Sequence, residues 1–278
     1  MSIHAPRYSL PPPSLLPRWD RLLAIVAQGV KERLRALNLV LLSLTYVVVL
    51  LLIVVPFYLS SLASGFFGGI TLSLFYTPFG AGVWSFFIIL LASSVGAGII
   101  AGDVATRSIT MYLSRPISRL DYLLAKAAAV GIWLTLATIL PGCVGAGIVL
   151  ALGYVSLPLA LEAIGGFLAA GILTVAAFTA LSVLLSAISS KAVYAGAGIF
   201  GVLLGSEVIA AVVQAISNNP TALYFSLQDD VLAVAQAIFG VPSSSIDPWS
   251  AAGVLVAFSA VAFFLTYLRL ERVEAVSE

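Results

Sequence analysis

The sequence predicts an all-α membrane protein in which six helices cross the bilayer. Of its 278 residues, 61% are hydrophobic and only 9% are charged, and the mean hydropathy is +1.13. A soluble protein of this length needs far more polar surface, so these values are typical of a polytopic membrane protein. The stretch from Asn38 to Gly102 contains no charged side chain. About 20 apolar residues cross a bilayer, so this stretch accommodates two spans.

The positions of the basic residues predict the orientation of the spans. Charged side chains are costly in hydrocarbon, and the Lys and Arg residues of short loops collect on the cytoplasmic side. The connections that would face the other side contain no Lys or Arg. We therefore expect a multi-pass protein of the cell membrane with both termini in the cytoplasm. The basic residues assigned to the cytoplasmic side after the leader are Arg18, Arg21, Lys31, Arg33, Arg35, Arg107, Arg115, Arg119, Lys126, Lys191, Arg269 and Arg272.

Two segments precede the first span. Residues 1–16 are rich in proline and lack the continuous apolar core of a secretory signal, so we expect an extended leader. Residues 17–37 have apolar side chains at helical spacing, with basic side chains on much of the remaining surface. This pattern predicts an amphipathic helix that lies in the membrane interface and contacts lipid. Such a helix either only anchors the chain or also contacts a cytoplasmic partner, and the sequence leaves both open.

The remainder of the chain divides into a six-span transmembrane domain, residues 38–268, and a cytoplasmic tail, residues 269–278. The link between the first two spans is rich in aromatic residues, which typically gather at the membrane–water boundary, so we expect it there. The connection 217–247 is expected on the outer side, with a short helix between Thr221 and Phe239. The predicted spans are about 38–60, 80–102, 122–152, 159–188, 192–216 and 249–268.

The composition excludes several classes of function. The only cysteine, Cys143, lies in an apolar run, so no disulfide forms within the chain. The only histidine, His4, lies in the leader, which argues against a histidine-based metal site or an acid–base pair. The chain has no Gly-x-x-x-x-Gly-Lys-(Ser/Thr) loop for nucleotide phosphates. A net charge of +1 gives no reason to expect nucleic acid as a partner. We therefore expect neither an enzyme nor a metalloprotein.

Residues 103–126 form the one substantial charged connection inside the transmembrane domain. Asp103 is a candidate cap for a short helix that ends near Leu113. Pro116 disfavours helical backbone at the preceding residue and predicts a break there. A loose loop would serve if the charges only fixed the topology. A short, rigid, charged element instead favours docking to a cytoplasmic partner that moves.

This connection resembles that of the ABC type-2 exporter permease family. The family segment between spans two and three ends with a Leu-Ser-Arg-Pro-(Val/Ile)-Ser-Arg run and a later Gly-Lys. Here residues 113–119 read LSRPISR, and Lys126 follows. Arg107-Ser108 stands where the family usually has Gly-Thr, and Ala125 stands where it has Gly. The entry helix, six spans, outer segment and basic tail also match the family plan.

The resemblance implies how the chain would work. Members pair with a second permease copy or a homologue and bind two cytoplasmic ABC ATPase subunits, which hold the ATP and Mg²⁺. The permease itself therefore needs no cofactor. A coupling helix, here residues 103–115, relays ATP-driven closure of the ATPases to the spans, and substrate leaves outward. The ATPase-coupling residues implied by the resemblance are Asp103, Arg107, Arg115, Pro116 and Arg119.

Polar groups inside the spans are the other candidates. Glu207 is the one carboxylate well inside a predicted span, so it is a candidate for a translocation path, with Gln214 two turns further on. It could instead be hydrogen-bonded to a neighbouring helix. An alternative function is a secondary transporter that uses Glu207 as its coupling carboxylate. A membrane scaffold and an intramembrane enzyme are weaker alternatives.

Two further features have a structural interpretation that we favour. Asp229 and Asp230 are expected on a solvated outer surface rather than in a cation site. Gly201 and Gly205 form a Gly-x-x-x-Gly pair, a spacing that lets two helices approach closely in lipid. Packing within the chain is the favoured explanation of the pair, and a dimer face is the alternative.

Overall fold

The computed structural model describes residues 17–62, 70–106, 117–242 and 246–275, with side chains as far as residue 271. Within these ranges the regular elements are helices, and no strand occurs. The helices are α1 (Arg18–Glu32), α2 (Ala36–Leu62), α3 (Thr77–Gly80), α4 (Val83–Gly96), α5 (Ala101–Ala105), α6 (Arg119–Ala151), α7 (Leu157–Ile188), α8 (Ala192–Ser217), α9 (Leu227–Ile238) and α10 (Pro248–Ala275), with 3-10 turns at Leu72–Tyr76 and Pro220–Phe225.

Six helical stretches of the described residues are long and apolar enough to cross a membrane. They are α2, α4 together with α5, α6, α7, α8 and α10, and this confirms the predicted fold class. Each contains more than the roughly 20 residues that a bilayer requires. The α6 helix begins at Arg119 and continues through Pro141 without a break.

The α7 helix lies at the centre of the bundle, between α6 and α10. Small residues let these helices approach closely. A Cβ at Gly142 of α6 would lie 2.4 Å from a ring atom of Phe167 in α7. A Cβ at Gly171 of α7 would lie 2.4 Å from a side-chain carbon of Ile139 in α6. A larger residue at either position would have to displace the facing side chain, so glycine permits this close approach of the two helices.

An aromatic cluster fills one end of the bundle. Phe57, Phe75, Phe79, Phe167 and Phe239 each lie within 6.3 Å, centroid to centroid, of another member of the cluster. Phe75 and Phe79 belong to the link between the first two spans and are 0% and 1% exposed. Mutual packing of the rings buries these two side chains inside the protein. The expected position of the link at the membrane boundary stays a prediction.

The connection between α8 and α10 covers the same end of the bundle. The predicted short helix between Thr221 and Phe239 is present in two pieces, a 3-10 turn and α9. The break falls at Ser226, whose Oγ accepts a hydrogen bond of 3.2 Å from the N–H of Asp229 and so caps α9. This connection carries Asp229, Asp230 and Asp247, and we call this end the acidic face.

At the opposite end, which we call the basic face, α1 packs against the first half of α6. The contact is close, because a Cβ at Gly29 would lie 2.8 Å from the Cβ of Ala129. Ile25 and Gly29 are buried against the bundle, whereas Trp19 and Leu23 are 74% and 62% exposed. The α1 helix is thus amphipathic, as predicted. Its location in the membrane interface stays a prediction.

Candidate functional site at the basic face

The basic face brings together the start of α6, the end of α5, the connection from α1 to α2 and the start of α8. The short α5 helix is held by α7, because the Oγ of Ser186 accepts hydrogen bonds of 3.0 Å from the N–H groups of both Ile100 and Ala101. Ser186 in turn donates to the carbonyl of Ala97, at 3.3 Å. The hydroxyl of Ser186 therefore provides hydrogen-bond partners for the backbone groups between α4 and α5. These contacts fix the position of α5 and with it that of Asp103.

Asp103 and Lys126 form a buried ion pair between the second and third candidate spans. The Nζ of Lys126 lies 2.7 Å from the Oδ2 of Asp103, with side-chain exposures of 3% and 16%. The hydroxyl of Tyr122 donates a hydrogen bond of 2.6 Å to the same oxygen. The ammonium of Lys126 also lies 5.6 Å from the ring centre of Tyr122. We call these three residues the Asp103 cluster.

Asp103 was a candidate cap for a short helix ending near Leu113, most of which lies outside the described residues, and it does not occupy an N-cap position in the part that is described. The N-cap of α5 is Ile100, and Asp103 lies inside the first turn. Its carboxylate instead accepts a hydrogen bond from Tyr122 and forms an ion pair with Lys126, both on α6. Tyr122 and Lys126 are one helical turn apart, so both reach the same carboxylate. That spacing was a signal in the sequence that could have identified Tyr122.

The start of α6 is fixed by a second set of polar contacts. Ser118 and Asp121 form a capping box, in which the N–H of Asp121 donates to the Oγ of Ser118 at 3.1 Å. The carboxylate of Asp121 also accepts hydrogen bonds from the Nε and one Nη of Arg18, at 3.1 and 2.5 Å. This ion pair ties α1 to α6, and the carboxylate of Asp121 raises the pKa of the Arg18 guanidinium.

Arg119 forms an ion pair with Glu271 near the end of α10. The distance between Nη1 and Oε1 is 3.3 Å, and the side chains are 33% and 52% exposed. Of the predicted coupling residues, Asp103 and Arg119 both lie on the basic face. Arg107, Arg115 and Pro116 lie outside the described residues, as does the predicted coupling helix beyond Thr106. The coupling role of all five stays a prediction.

A cavity of about 560 Å³ opens next to the Asp103 cluster, between the connection from α1 to α2, the end of α4 and the start of α8. Arg33 lines it and is only 7% exposed. The carbonyl of Arg33 accepts a hydrogen bond of 2.7 Å from the Nδ2 of Asn38, and the Oδ1 of Asn38 accepts from the Oγ of Ser94. In the sequence, Arg33 was only one of the basic residues that indicated the orientation, and its pattern gave no sign of this buried network.

The acidic face contains a buried carboxylate that was not expected there. Asp230 is 0% exposed, and neither of its oxygens has a hydrogen-bond partner among the described residues. Burial, and then the charge of Asp229, raise the pKa of Asp230 to about 7. The prediction that Asp230 lies on a solvated surface was therefore wrong. The 3-10 turn and α9 fold back over the bundle and enclose this side chain.

Glu207 and Gln214 are half-buried on α8. Neither side chain forms a hydrogen bond or ion pair with another described residue. Neither lines the cavity beside Arg33 or the apolar groove of about 390 Å³ beside Trp249 on the acidic side. Their predicted place in a translocation path, and the alternative of a secondary transporter, stay predictions. No group of three or more potential metal ligands occurs within the described ranges.

Comparison with known proteins gives the family. A search of curated proteins found no match to this chain. The profile of the family described as ABC-2 family transporter protein matches residues 23–275, which is nearly the whole sequence. The matched region includes the six candidate spans, the Asp103 cluster and the LSRPISR segment. The chain is therefore a member of the ABC-2 transporter family and a membrane component of that family of transporters.

Proposed function

We propose that the chain is the permease subunit of an ABC exporter, which couples ATP hydrolysis by two separate ATPase subunits to outward movement of a substrate. The ATPases would bind the ATP and Mg²⁺, and the basic face would lie in the cytoplasm. In this proposal α1 lies in the membrane interface, where the exposed Trp19 and Leu23 contact lipid. Family membership, the six candidate spans and the one-sided distribution of basic residues support it.

The observation that carries the proposal is the Asp103 cluster. It joins the last turn of the second candidate span to the first turns of the third, on either side of residues 107–116. Asp121 and Ser118 fix the far end of that segment. A force applied to residues 107–116 by a docked ATPase would therefore move two spans together. A connection whose ends were free would absorb the same force without moving the helices.

Charge reversal within the coupling segment tests this role. We expect Arg115→Glu with Arg119→Glu to lower permease-stimulated ATP hydrolysis at least several-fold, because the segment would no longer match its ATPase groove. The measurement is ATP turnover of the permease reconstituted in liposomes with its co-purified ATPase. Lys191→Glu with Arg269→Glu is the matched control, since it changes the net charge equally on the same face. Unchanged turnover in the Arg115 and Arg119 variant would contradict the coupling role.

The α8 helix supports the proposal of a second permease copy. Cβ atoms added at Gly201 and Gly205 would meet nothing within 4 Å among the described residues, so the pair serves no packing within this part of the chain. Within the described residues, packing inside the chain therefore does not explain the pair. Val208 and Val212 continue the same helix face and are 61% and 51% exposed. Small residues beside exposed valines form a surface on which a second helix could pack closely.

We expect Gly201→Leu with Gly205→Leu to lower the dimer fraction about tenfold or more, because the added side chains separate the two helix backbones. The measurement is cross-linking of the permease in vesicles at a fixed ratio of protein to lipid. Gly165→Leu with Gly253→Leu is the control, because these glycines also have open space at their Cβ positions but lie on α7 and α10. An unchanged dimer fraction in the α8 variant would exclude this face as the interface.

A further inference from the structure

Arg33 is a buried guanidinium that the proposed coupling does not use. It is 7% exposed, and its Nε has no hydrogen-bond partner within the described part of the chain. Its side chain forms no hydrogen bond or ion pair with any described residue. A buried charge that lacks a hydrogen-bonded partner is costly, and a guanidinium does not relieve that cost by losing its proton. A bound anion would supply the missing partner.

The backbone around Arg33 is shaped to hold the guanidinium at the cavity wall. A Cβ at Gly98 would lie 3.2 and 3.3 Å from the two Nη atoms of Arg33, and 3.2 Å from the Cβ of Ala192. Glycine at position 98 therefore leaves the space that the guanidinium occupies. The five N–H donors of this group are planar and fixed, which suits two oxygens of one ligand.

The start of α8 borders the same cavity through Ala192. The α8 helix is 26 residues long, and the side chain of its N-cap residue, Lys191, makes no capping hydrogen bond. The first N–H groups of a helix have no partner within the helix, and its dipole places partial positive charge at this end. An uncapped helix N-terminus beside a buried guanidinium is a favourable environment for a multi-oxygen anion such as phosphate.

The remaining charges at the cavity favour an anion over a cation. Burial lowers the pKa of Arg33, and so does the charge of Arg35, which also lines the cavity, whereas Glu32 and Asp103 act in the opposite direction. The carboxylate of Asp103 is already neutralised by Lys126. Glu32 accepts a hydrogen bond of 3.0 Å from Gln28 and is the one other acidic residue of the lining. The cavity is therefore lined by two guanidiniums, those of Arg33 and Arg35. They face only one carboxylate, that of Glu32, that is not already in an ion pair with Lys126.

We propose that Arg33, Arg35 and the N-terminus of α8 bind a phosphate group, supplied by the headgroup of a membrane lipid. The surroundings favour lipid as the source, because Leu34 and Leu37 beside the cavity are 55% and 60% exposed and would contact acyl chains. Basic pockets between spans, next to the membrane surface, are typical sites for anionic headgroups. The site is independent of the substrate and of the coupling role proposed above.

The test uses delipidated full-length protein in a non-ionic detergent. Dioleoylphosphatidylglycerol, dioleoylglycerol, which lacks the phosphate, and inorganic phosphate are titrated separately while the thermal unfolding midpoint is followed. We expect a saturable rise with phosphatidylglycerol and none with dioleoylglycerol. The apparent Kd should weaken about tenfold in both Arg33→Met and Arg35→Gln, since each loses a charge-assisted contact. Arg35 is exposed, so its variant tests the site even if Arg33→Met folds poorly.

Arg269→Gln is the control, because it removes a charge from the same face outside the cavity and should leave the Kd unchanged. Competition between inorganic phosphate and the lipid would support a shared phosphate site. Saturable binding of inorganic phosphate without any effect of phosphatidylglycerol would support the phosphate site and overturn lipid as its source. Equal responses to phosphatidylglycerol and dioleoylglycerol, or an equal loss of affinity in Arg269→Gln, would overturn the site itself.

Discussion

Replacing Lys126 by methionine is expected to lower the free energy of unfolding by roughly 3–5 kcal/mol, because it removes the buried ammonium that pairs with Asp103. The two charged atoms are 2.7 Å apart, and the lysine side chain is only 3% exposed. Asp103→Asn should lower the free energy of unfolding by a similar amount, because it leaves the buried ammonium of Lys126 without the carboxylate that pairs with it. The measurement is the unfolding equilibrium of the purified protein in mixed detergent micelles as the fraction of SDS is raised.

The double variant Asp103→Asn with Lys126→Met removes both charges and should recover much of the loss. Glu271→Gln is the matched control, because it breaks the exposed ion pair with Arg119 on the same face. Exposed pairs contribute about 0–1 kcal/mol, so this variant should unfold almost like the unmodified protein. Equal effects of Lys126→Met and Glu271→Gln would show that the Asp103 cluster does not fix the two spans.

Asp230 should make the protein less stable as the pH rises from about 4 to about 7. Its folded-state pKa is about 7, above the ordinary value of 3.8, so the folded state binds more protons than the unfolded state in this window. The difference between the folded and unfolded pKa values corresponds to roughly 4 kcal/mol in the free energy of unfolding. Roughly 3 kcal/mol of this change occurs between pH 5 and pH 8. The stabilisation from the protonated carboxyl is complete below pH 4 and is lost as the pH rises through 7.

The same SDS titration at pH 5 and pH 8 measures this effect. Asp230→Asn should remove most of the pH dependence and should be more stable than the unmodified protein at pH 8. Asp247 is the control, because hydrogen bonds from the N–H and Oγ of Ser250 lower its pKa. Asp247→Asn should therefore change stability by the same amount at both pH values. An unchanged pH dependence in Asp230→Asn would contradict the buried, ionisable state of this side chain.

The fold class could be predicted because it depends on properties that a bilayer imposes along the chain. Long apolar stretches are required to cross hydrocarbon, and the cations between them collect in alternate connections. The stretch without charge from Asn38 to Gly102 indicated two spans, and both helices are present. The amphipathic pattern of residues 17–37 likewise predicted α1.

The arrangement within the candidate site could be predicted only in part, because it depends on contacts between distant segments. Asp103 was identified as polar and important, but its role as an ion-pair partner required knowing that Lys126 lies beside it. The burial of Asp230 depends on the 3-10 turn and α9 folding back over the bundle, which local pattern does not reveal. Similarly, the buried guanidinium of Arg33 depends on the open space at Gly98.

Docking of the ATPases requires that the basic face lies in the cytoplasm, and the two ends of α8 test this directly. Ser190 lies just before α8 on the basic face, and Ser217 ends it on the acidic face; both are exposed. Each is replaced by cysteine in a Cys143→Ser background and treated in intact cells with a membrane-impermeant maleimide. We expect labelling of the cysteine at position 217 in intact cells, and of that at position 190 only after permeabilisation. The reverse pattern would contradict the orientation and, with it, docking of the ATPases at the basic face.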